Sequence, residues 1–445
     1  MGEAESNDSA VQSGALGQRS SPTPASPDRI SLAAPAIRTL INAKDVNIVV
    51  INPRLNTPIS TAELERRWKT VRARMDEAGL DVLLLQNNND HMGGAVKYFT
   101  DIPALNGYAI TVVFPRDDDM SVVMQGPLGG VQTFSHEGNG TWRGVKQVLT
   151  TASYASAFFT KDYDSELVVK AMRPYAESSI GLIGTYQMSY SLVDYVRRAF
   201  PKASYTDASE ILDRIRAIKS PEELDLIRKT AAMQDGAMNA AFEAIKPGMR
   251  DSDVAATARL YSQRNGSEQG IYMCGSFPLG SPQKFGNRHM QNRIIQRGDQ
   301  FALLVEDNGP GGFYGELGRS CGVGKVPQEM KDEFAISIAA RQLILDMLKP
   351  GTPCSEIAEA FNTFMRKIGR DEERRLNAHS QGYDLVERPL LRLDETMVIE
   401  KNMNISIHPQ HIAGGCFSWI CDNFFVGESS PERIHKFPEE IIEIG

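Results

Sequence analysis

A twelve-residue pattern occurs twice in this chain, and it constrains the fold more than any other feature. AIKPGMRDSDVA at 244–255 and MLKPGTPCSEIA at 347–358 share a helix end, a Lys-Pro-Gly turn and the start of a new helix, 103 residues apart (244 to 347). Proline cannot continue a helix, and glycine accepts the left-handed backbone that often follows one, so each copy reads as a helix–turn–helix junction. The flanking apolar positions agree as well. This points to duplication of a whole unit, in which a long helix precedes the junction and a further helix and strands follow it. Two α/β halves of this kind would pack about a pseudo-twofold axis with a cleft between them.

Local signals fill in the elements. Ser220-Pro221-Glu222-Glu223 offers a cap, a proline at the first helical position and a glutamate three residues after the cap, which predicts a long helix to about Ile245 and a second from about Ser252. Upstream, an amphipathic helix from Thr61 stops at Gly79 before the apolar run Val82-Leu83-Leu84-Leu85. Further strand signals at 109–114, 120–124 and 180–183, with a helix near 188–199, make this region a separate α/β domain. The first 30 residues, rich in Ser, Ala, Pro and Gly, read as a flexible tail. The organisation expected is therefore a tail at 1–30, a smaller α/β domain at 55–213 and the duplicated unit at 214–440.

A chain of 445 residues with 41% hydrophobic and 23% charged side chains has ample material for two cores. A net charge of −8 argues against nucleic acid or an anionic membrane surface and favours a small-molecule partner. There is no apolar run of the roughly 18 to 20 residues that span a bilayer, and no leader pattern at the N-terminus, so a cytoplasmic location is expected. The five cysteines contain no CxxC pair and read as free thiols.

The stretch IRAIKSPEELDLIRKTAAMQDGAMNAAFEAIKPGM at 215–249 resembles the entry to the catalytic domain of the creatinase, aminopeptidase P and prolidase superfamily. The resemblance extends over about 60–440 and implies a pita-bread catalytic domain behind a smaller creatinase-like N-terminal domain. It also implies a homodimer, in which the first domain can complete a partner's site. Most peptidases of that family hold two metal ions on two Asp, one His and two Glu. Carried over residue by residue, the family's proton-shuttling His resembles His289 in GNRHMQ, and its first metal Asp falls near Val305 or Glu306, with Asp307 as a poor substitute. The second Asp falls on Glu316 in YGELGR and the metal His on His379 in AHSQG. The two metal Glu correspond to His408 in ISIHPQ and Cys421 in WICDNF.

Two dications held close together need bridging carboxylates, which these replacements remove. The resemblance is then closest to creatinase-like members that keep the fold without metal. This gives His289, Glu316, His379 and His408 as catalytic candidates, with Arg319, Tyr314, Glu387, Asp422 and Asp307 as substrate-binding candidates. A neutral imidazole titrates near working pH and suits proton transfer, and a carboxylate suits a cationic substrate group. The glycine-rich Asn308–Tyr314 stretch is expected to be a hairpin turn and not a phosphate loop, because it lacks the Lys-Ser/Thr of one.

The leading expectation is a metal-independent, cofactor-free hydrolase or lyase that cleaves a carbon–nitrogen, or alternatively a carbon–sulfur, bond in a small polar metabolite. A second is a mononuclear metal enzyme built on His379, His408 and Glu316. A third is a non-catalytic pita-bread module that binds a peptide.

Overall fold

The computed structural model describes residues 57–283, 285–286 and 291–445. The expected tail at 1–30 and His289 lie outside the described residues. Ser60 opens α1 (Thr61–Glu77) by accepting the Glu63 N–H on its hydroxyl, and Leu64, Trp68, Val71 and Met75 form the buried stripe of that helix. Then follow β1 (Val82–Asn87), α2 (Gly94–Thr100), β2 (Ile110–Pro115), β3 (Met120–Gln125), β4 (Gly130–Thr133), β5 (Val145–Thr151), α3 (Tyr163–Met172), β6 (Ser179–Ile183), α4 (Tyr190–Ala199), β7 (Ser204–Asp207) and α5 (Ser209–Ala217). The strands form one seven-stranded sheet in the order β4-β5-β3-β2-β1-β6-β7. β1 pairs antiparallel with β2 and parallel with β6 and is buried along its whole length, hence the unbroken apolar run of its sequence. α5 runs through residues 213 and 214 and delivers the chain to the second lobe.

That lobe begins with α6 (Pro221–Ala244). The Ser220 hydroxyl accepts the Glu223 N–H and the Glu223 carboxylate accepts the Ser220 N–H, so the capping box is complete. After it come α7 (Asp251–Arg264), β8 (Gly270–Pro278), β9 (Asp299–Asn308), β10 (Tyr314–Val323), α8 (Gln328–Met347) and α9 (Cys354–Lys367). The chain ends with β11 (Ala378–Ser380), β12 (Glu387–Leu390), β13 (Asn404–Ile407), β14 (Gln410–Ala413), β15 (Cys416–Trp419), β16 (Asp422–Phe425), β17 (Glu432–Arg433) and β18 (Ile442–Ile444). Both Lys-Pro-Gly turns join a long helix to a shorter one, and their glycines take nearly the same left-handed backbone, φ +94° at Gly248 and +93° at Gly351. Repetition of the helix pair as α6–α7 and α8–α9 bears out the duplication.

Each half carries its own sheet, β18-β10-β9-β8 in the first and β12-β11-β13-β16-β17 in the second. The two sheets meet where Gly318 and Cys421 exchange backbone hydrogen bonds of 3.0 and 3.1 Å. Only glycine fits there, since a Cβ on residue 318 would stand 2.0 Å from the Trp419 ring. The first lobe is tied on through buried charges: Arg67 donates to Glu223 at 2.8 Å and to the Tyr383 hydroxyl at 3.3 Å. Arg216 donates to Asp384 at 2.6 Å, and Asp384 also accepts the Gly94 N–H at 2.6 Å. Among the described residues no helix is long and apolar enough to cross a membrane.

Candidate active site

Glu306 and Glu316 are Cα partners on the antiparallel β9–β10 ladder. Strand side chains alternate, so Leu303 and Val305 of β9 and Leu317 of β10 pack with α6 and α7, while Leu304 faces Phe417, Trp419 and Cys421. Glu306 and Glu316 share the second of these faces. There Glu306 accepts the Gln381 amide at 3.0 Å and Glu316 accepts the Ser406 hydroxyl at 2.7 Å.

From the other sheet, β11 and β13 pair His379 with Ser406 and aim both at Glu316. His408 follows the end of β13 and is anchored by its N–H to the Asn377 carbonyl at 2.8 Å. The result is a convergence of Glu316, His379 and His408, all buried, with ligand atoms within 4.8 Å of one another. His379 Nε2 lies 3.5 Å from Glu316 Oε2, the His379 and His408 rings are 5.2 Å apart, and His379 Nδ1 lies 3.0 Å from the Ser380 carbonyl.

Charge in this cluster is unevenly distributed. Burial raises the Glu316 carboxyl, but the His408 and His379 rings and the Ser406 hydroxyl outweigh it and hold the acid at about 2. Burial and then the Glu316 charge push Glu306 well above the usual carboxylate range. Burial drives His408 toward the neutral ring, and burial with the Glu316 charge pushes the Cys421 thiol up. The arrangement sets one carboxylate anion beside two imidazole rings in a buried site.

The other sequence candidates sit elsewhere. Asp307 is one residue out of phase with Glu306, on the α6 face, where it accepts from the Tyr272 hydroxyl at 2.6 Å and the Gln234 amide at 2.9 Å. Arg319 and Asp422 pair with each other at 2.8 Å, and Asp422 also holds Arg341 and Arg433. Glu387 is held by Arg216 and Lys219 at the junction with the first lobe. These four side chains are taken up by the framework, because alternation and cross-lobe pairing turn them from the cluster. Tyr314 is buried at the start of β10, where its hydroxyl donates to the Asp90 carbonyl at 3.2 Å and lies 3.4 Å from His91 Nδ1. The polar loop after β1 thereby reaches the end of the strand that carries Glu316.

Sequence reasoning passed over Ser406 and Asn423, which orient Glu316 by side chain and by backbone, the latter through Glu316 N–H to Asn423 Oδ1 at 2.7 Å. One signal was present: Asn404, Ser406 and His408 alternate with isoleucines, which places a polar row on one face of a buried strand.

A two-lobed α/β architecture with a duplicated second lobe and an acid–imidazole cluster between its sheets defines the pita-bread class. A family model described as Creatinase/Prolidase N-terminal domain matches residues 67–218, and one described as Metallopeptidase family M24 matches residues 225–429. The chain belongs to this creatinase, aminopeptidase P and prolidase superfamily of hydrolases and peptidases. It is 25% identical over 399 residues to an "Uncharacterized hydrolase/peptidase" of Sinorhizobium fredii, covering 86% of this chain and 97% of that protein. It is 24% identical over 417 residues to a creatinase of Bacillus sp., covering 86% and 93%. Among solved structures, an X-Pro aminopeptidase from Thermotoga maritima superposes with a TM-score of 0.70 at 16% identity, over 85% of this chain and 99% of that one.

The family name implies metal, so the donor set has to be weighed. Cys421 lies at the junction of the sheets with its Sγ 3.4 Å from Ser406 Oγ and 3.5 Å from the Glu316 carbonyl oxygen, and it falls outside the group of converging ligands. Glu306 falls outside that group too. Among the described residues the group therefore contains one carboxylate, which does not fit two dications that need carboxylate bridges.

Proposed function

We propose that this chain is a hydrolase that cleaves a carbon–nitrogen bond in a small polar molecule at the Glu316, His379 and His408 cluster, without the two-ion machinery of its peptidase relatives. The observation that carries the reading is the convergence of those three buried side chains within 4.8 Å, in a core where neighbouring charges are matched in ion pairs. Glu316 attracts the positive end of the substrate, Ser406 fixes the carboxylate's direction, and the imidazoles exchange protons with the reacting atoms. His289 keeps the proton-shuttling part that the family resemblance gives it. Tyr314, against the first-lobe loop, bounds one end of the site. Elimination across a carbon–sulfur bond is the lyase alternative.

Two versions of this chemistry share the site. In one, the side chains act without a metal, as the resemblance to creatinase implies; in the other, a cation occupies the space between the three ligands. The reading extends to a homodimer, supported by large aromatic side chains left exposed on the first lobe, among them Phe158 (81%), Phe159 (77%) and Tyr190 (83%). Sedimentation of the full chain as a monomer at micromolar concentration would remove that part.

The test is a release assay for amine, urea and ammonia with purified full chain, set against Xaa-Pro dipeptides and against small guanidino and ureido acids. Turnover of the second group, lost in Glu316→Gln, His379→Ala and His289→Ala, is expected. Efficient cleavage of Xaa-Pro dipeptides, or full turnover in the His379 and His289 variants, would overturn the reading.

A further inference from the structure

The first lobe has a cavity of its own, away from the Glu316 cluster. In its sheet β1, β3, β5 and β6 run the same way, and α3 and α4 follow β5 and β6, so both helices start at the carboxyl edge of those strands. In open α/β sheets ligands settle beyond that edge. A cavity of about 390 Å³ lies there, between Gln86 and Gln125 at the strand ends and the first turns of the two helices. Asp164 and Ser165 of α3 and Ser189 and Ser191 of α4 line it. Its size falls within the range of pockets that hold small molecules.

The walls are fixed without a ligand. Gln86 accepts the Ser189 N–H at 3.0 Å and donates to the Thr111 hydroxyl at 3.0 Å, which ties the head of α4 to the sheet. The buried Thr160 hydroxyl accepts the Tyr154 N–H and donates to the Ala157 carbonyl, both at 2.9 Å, which closes the loop that supplies Tyr154 to the lining.

Against that framework two side chains stand out. Ser165 is 1% exposed and lines the cavity, yet its hydroxyl has no hydrogen-bond partner. A buried hydroxyl left unpaired costs free energy, and the cavity is the space from which a partner can come. Asp164, beside it, has no cationic partner among the described residues: burial raises its carboxyl, and the Ser153 hydroxyl alone opposes this. Lys161 is turned elsewhere, 3.9 Å from Asp162 and over the Phe158 ring.

The head of α4 carries the opposite need. The Ser189 hydroxyl accepts the Leu192 N–H at 3.2 Å, which leaves the N–H groups of Tyr190 and Ser191 at the positive end of the helix without an acceptor. A simple anion there would meet Asp164, and a simple cation would meet the helix end. We propose that this cavity binds a free α-amino acid, with its carboxylate on the first turn of α4, its ammonium on Asp164 and the Ser165 hydroxyl bonded to it. The site is independent of which bond is cleaved at the Glu316 cluster.

The experiment is calorimetric titration of the full chain with each common amino acid, and with the N-acetyl and amide forms of any that binds. One amino acid at least is expected to bind with a stoichiometry of one. Its N-acetyl form, which lacks the ammonium, and its amide, which lacks the carboxylate, should each bind more than about 10-fold more weakly. Asp164→Asn should weaken binding by more than about 10-fold and Ser165→Ala by about 3- to 10-fold. Because the Ser165 hydroxyl bonds to nothing within the chain, Ser165→Ala should melt no lower than the parent without ligand. Glu316→Gln should bind the amino acid as the parent does. If Asp164→Asn fails to fold, a crystal structure of the wild-type chain with the amino acid decides in its place, with the ligand expected between the heads of α3 and α4. No binding of any amino acid, equal binding of the blocked forms, parent-like binding in Asp164→Asn and Ser165→Ala, or binding lost in Glu316→Gln would overturn the proposal.

Discussion

Glu306 and Glu316 face each other as direct partners on the β9–β10 ladder, both buried and both turned toward the second sheet. Two carboxylates in that position cannot both stay charged without a counter-ion, and burial together with the Glu316 charge leaves Glu306 as the one that holds a proton. Glutamine reproduces the shape of a neutral acid and still accepts the Gln381 amide. Glu306→Gln should therefore stay within about 1 kcal/mol of the parent in urea denaturation. A loss well beyond that would mean that Glu306 carries a needed charge.

The strands that hold this pair also show where sequence reading stops. The duplication at 244–255 and 347–358, the capping box at Ser220 and the helix and strand order were legible because each depends on contacts a few residues apart. The phase of alternation was not. β9 and β10 are buried on both faces, so their sequences carry no polar–apolar rhythm to say which of Glu306 and Asp307 turns toward the cluster. The same ambiguity separates Asn423, which touches Glu316 N–H, from Asp422, which turns to α8. Glu316, His379 and His408 were nameable from the family resemblance. Their convergence depends on two sheets meeting at Gly318 and Cys421, a long-range fact that no local pattern records.

Asp422 is fully buried among Arg319, Arg341 and Arg433, at 2.8, 2.6 and 2.9 Å. Burial raises its carboxyl, and the guanidinium groups, led by Arg319, more than reverse this and keep it below the usual range. Removing Asp422 leaves the fully buried Arg319 without its carboxylate partner, while Arg341 and Arg433 keep Glu439 at 2.6 and 3.0 Å, and an uncompensated buried cation is worse than none. Asp422→Ala is expected to lose roughly 3 to 5 kcal/mol in chemical denaturation. A loss under 1 kcal/mol would show that the arginines relax to water.

Arg67 couples the lobes. Its fully buried guanidinium reaches Glu63 on its own helix, Glu223 at the head of α6 and the Tyr383 hydroxyl beyond β11. A side chain held from both lobes makes their unfolding cooperative, so scanning calorimetry of the parent should show one transition for the two. Arg67→Ala should destabilise by about 3 kcal/mol or more, as expected when one partner of a buried ion pair is removed, and should split the transition or lower it by several degrees. Two resolved transitions already in the parent would refute the coupling.

His435 gives the fold a sensitivity to acid. The Asn423 N–H donates to His435 Nδ1 at 3.2 Å, so its Nε2 carries the hydrogen and donates to Gln234 Oε1 at 2.9 Å. The ring is built in as neutral, and burial pushes its pKa down from 6.5 to about 3. Above pH 6.5 neither folded nor unfolded chain protonates it and stability is unaffected. As pH falls below 6.5 the unfolded chain takes up a proton that the folded chain refuses, so stability is lost progressively until about pH 3. At pH 5 the loss from this one group is about 2 kcal/mol. His435→Gln cannot titrate, so although it should be less stable than the parent at pH 7.5, the gap between the two should narrow by about that amount at pH 5. Urea midpoints measured at both pH values decide it, and parallel profiles would show that the folded protein protonates His435 without difficulty.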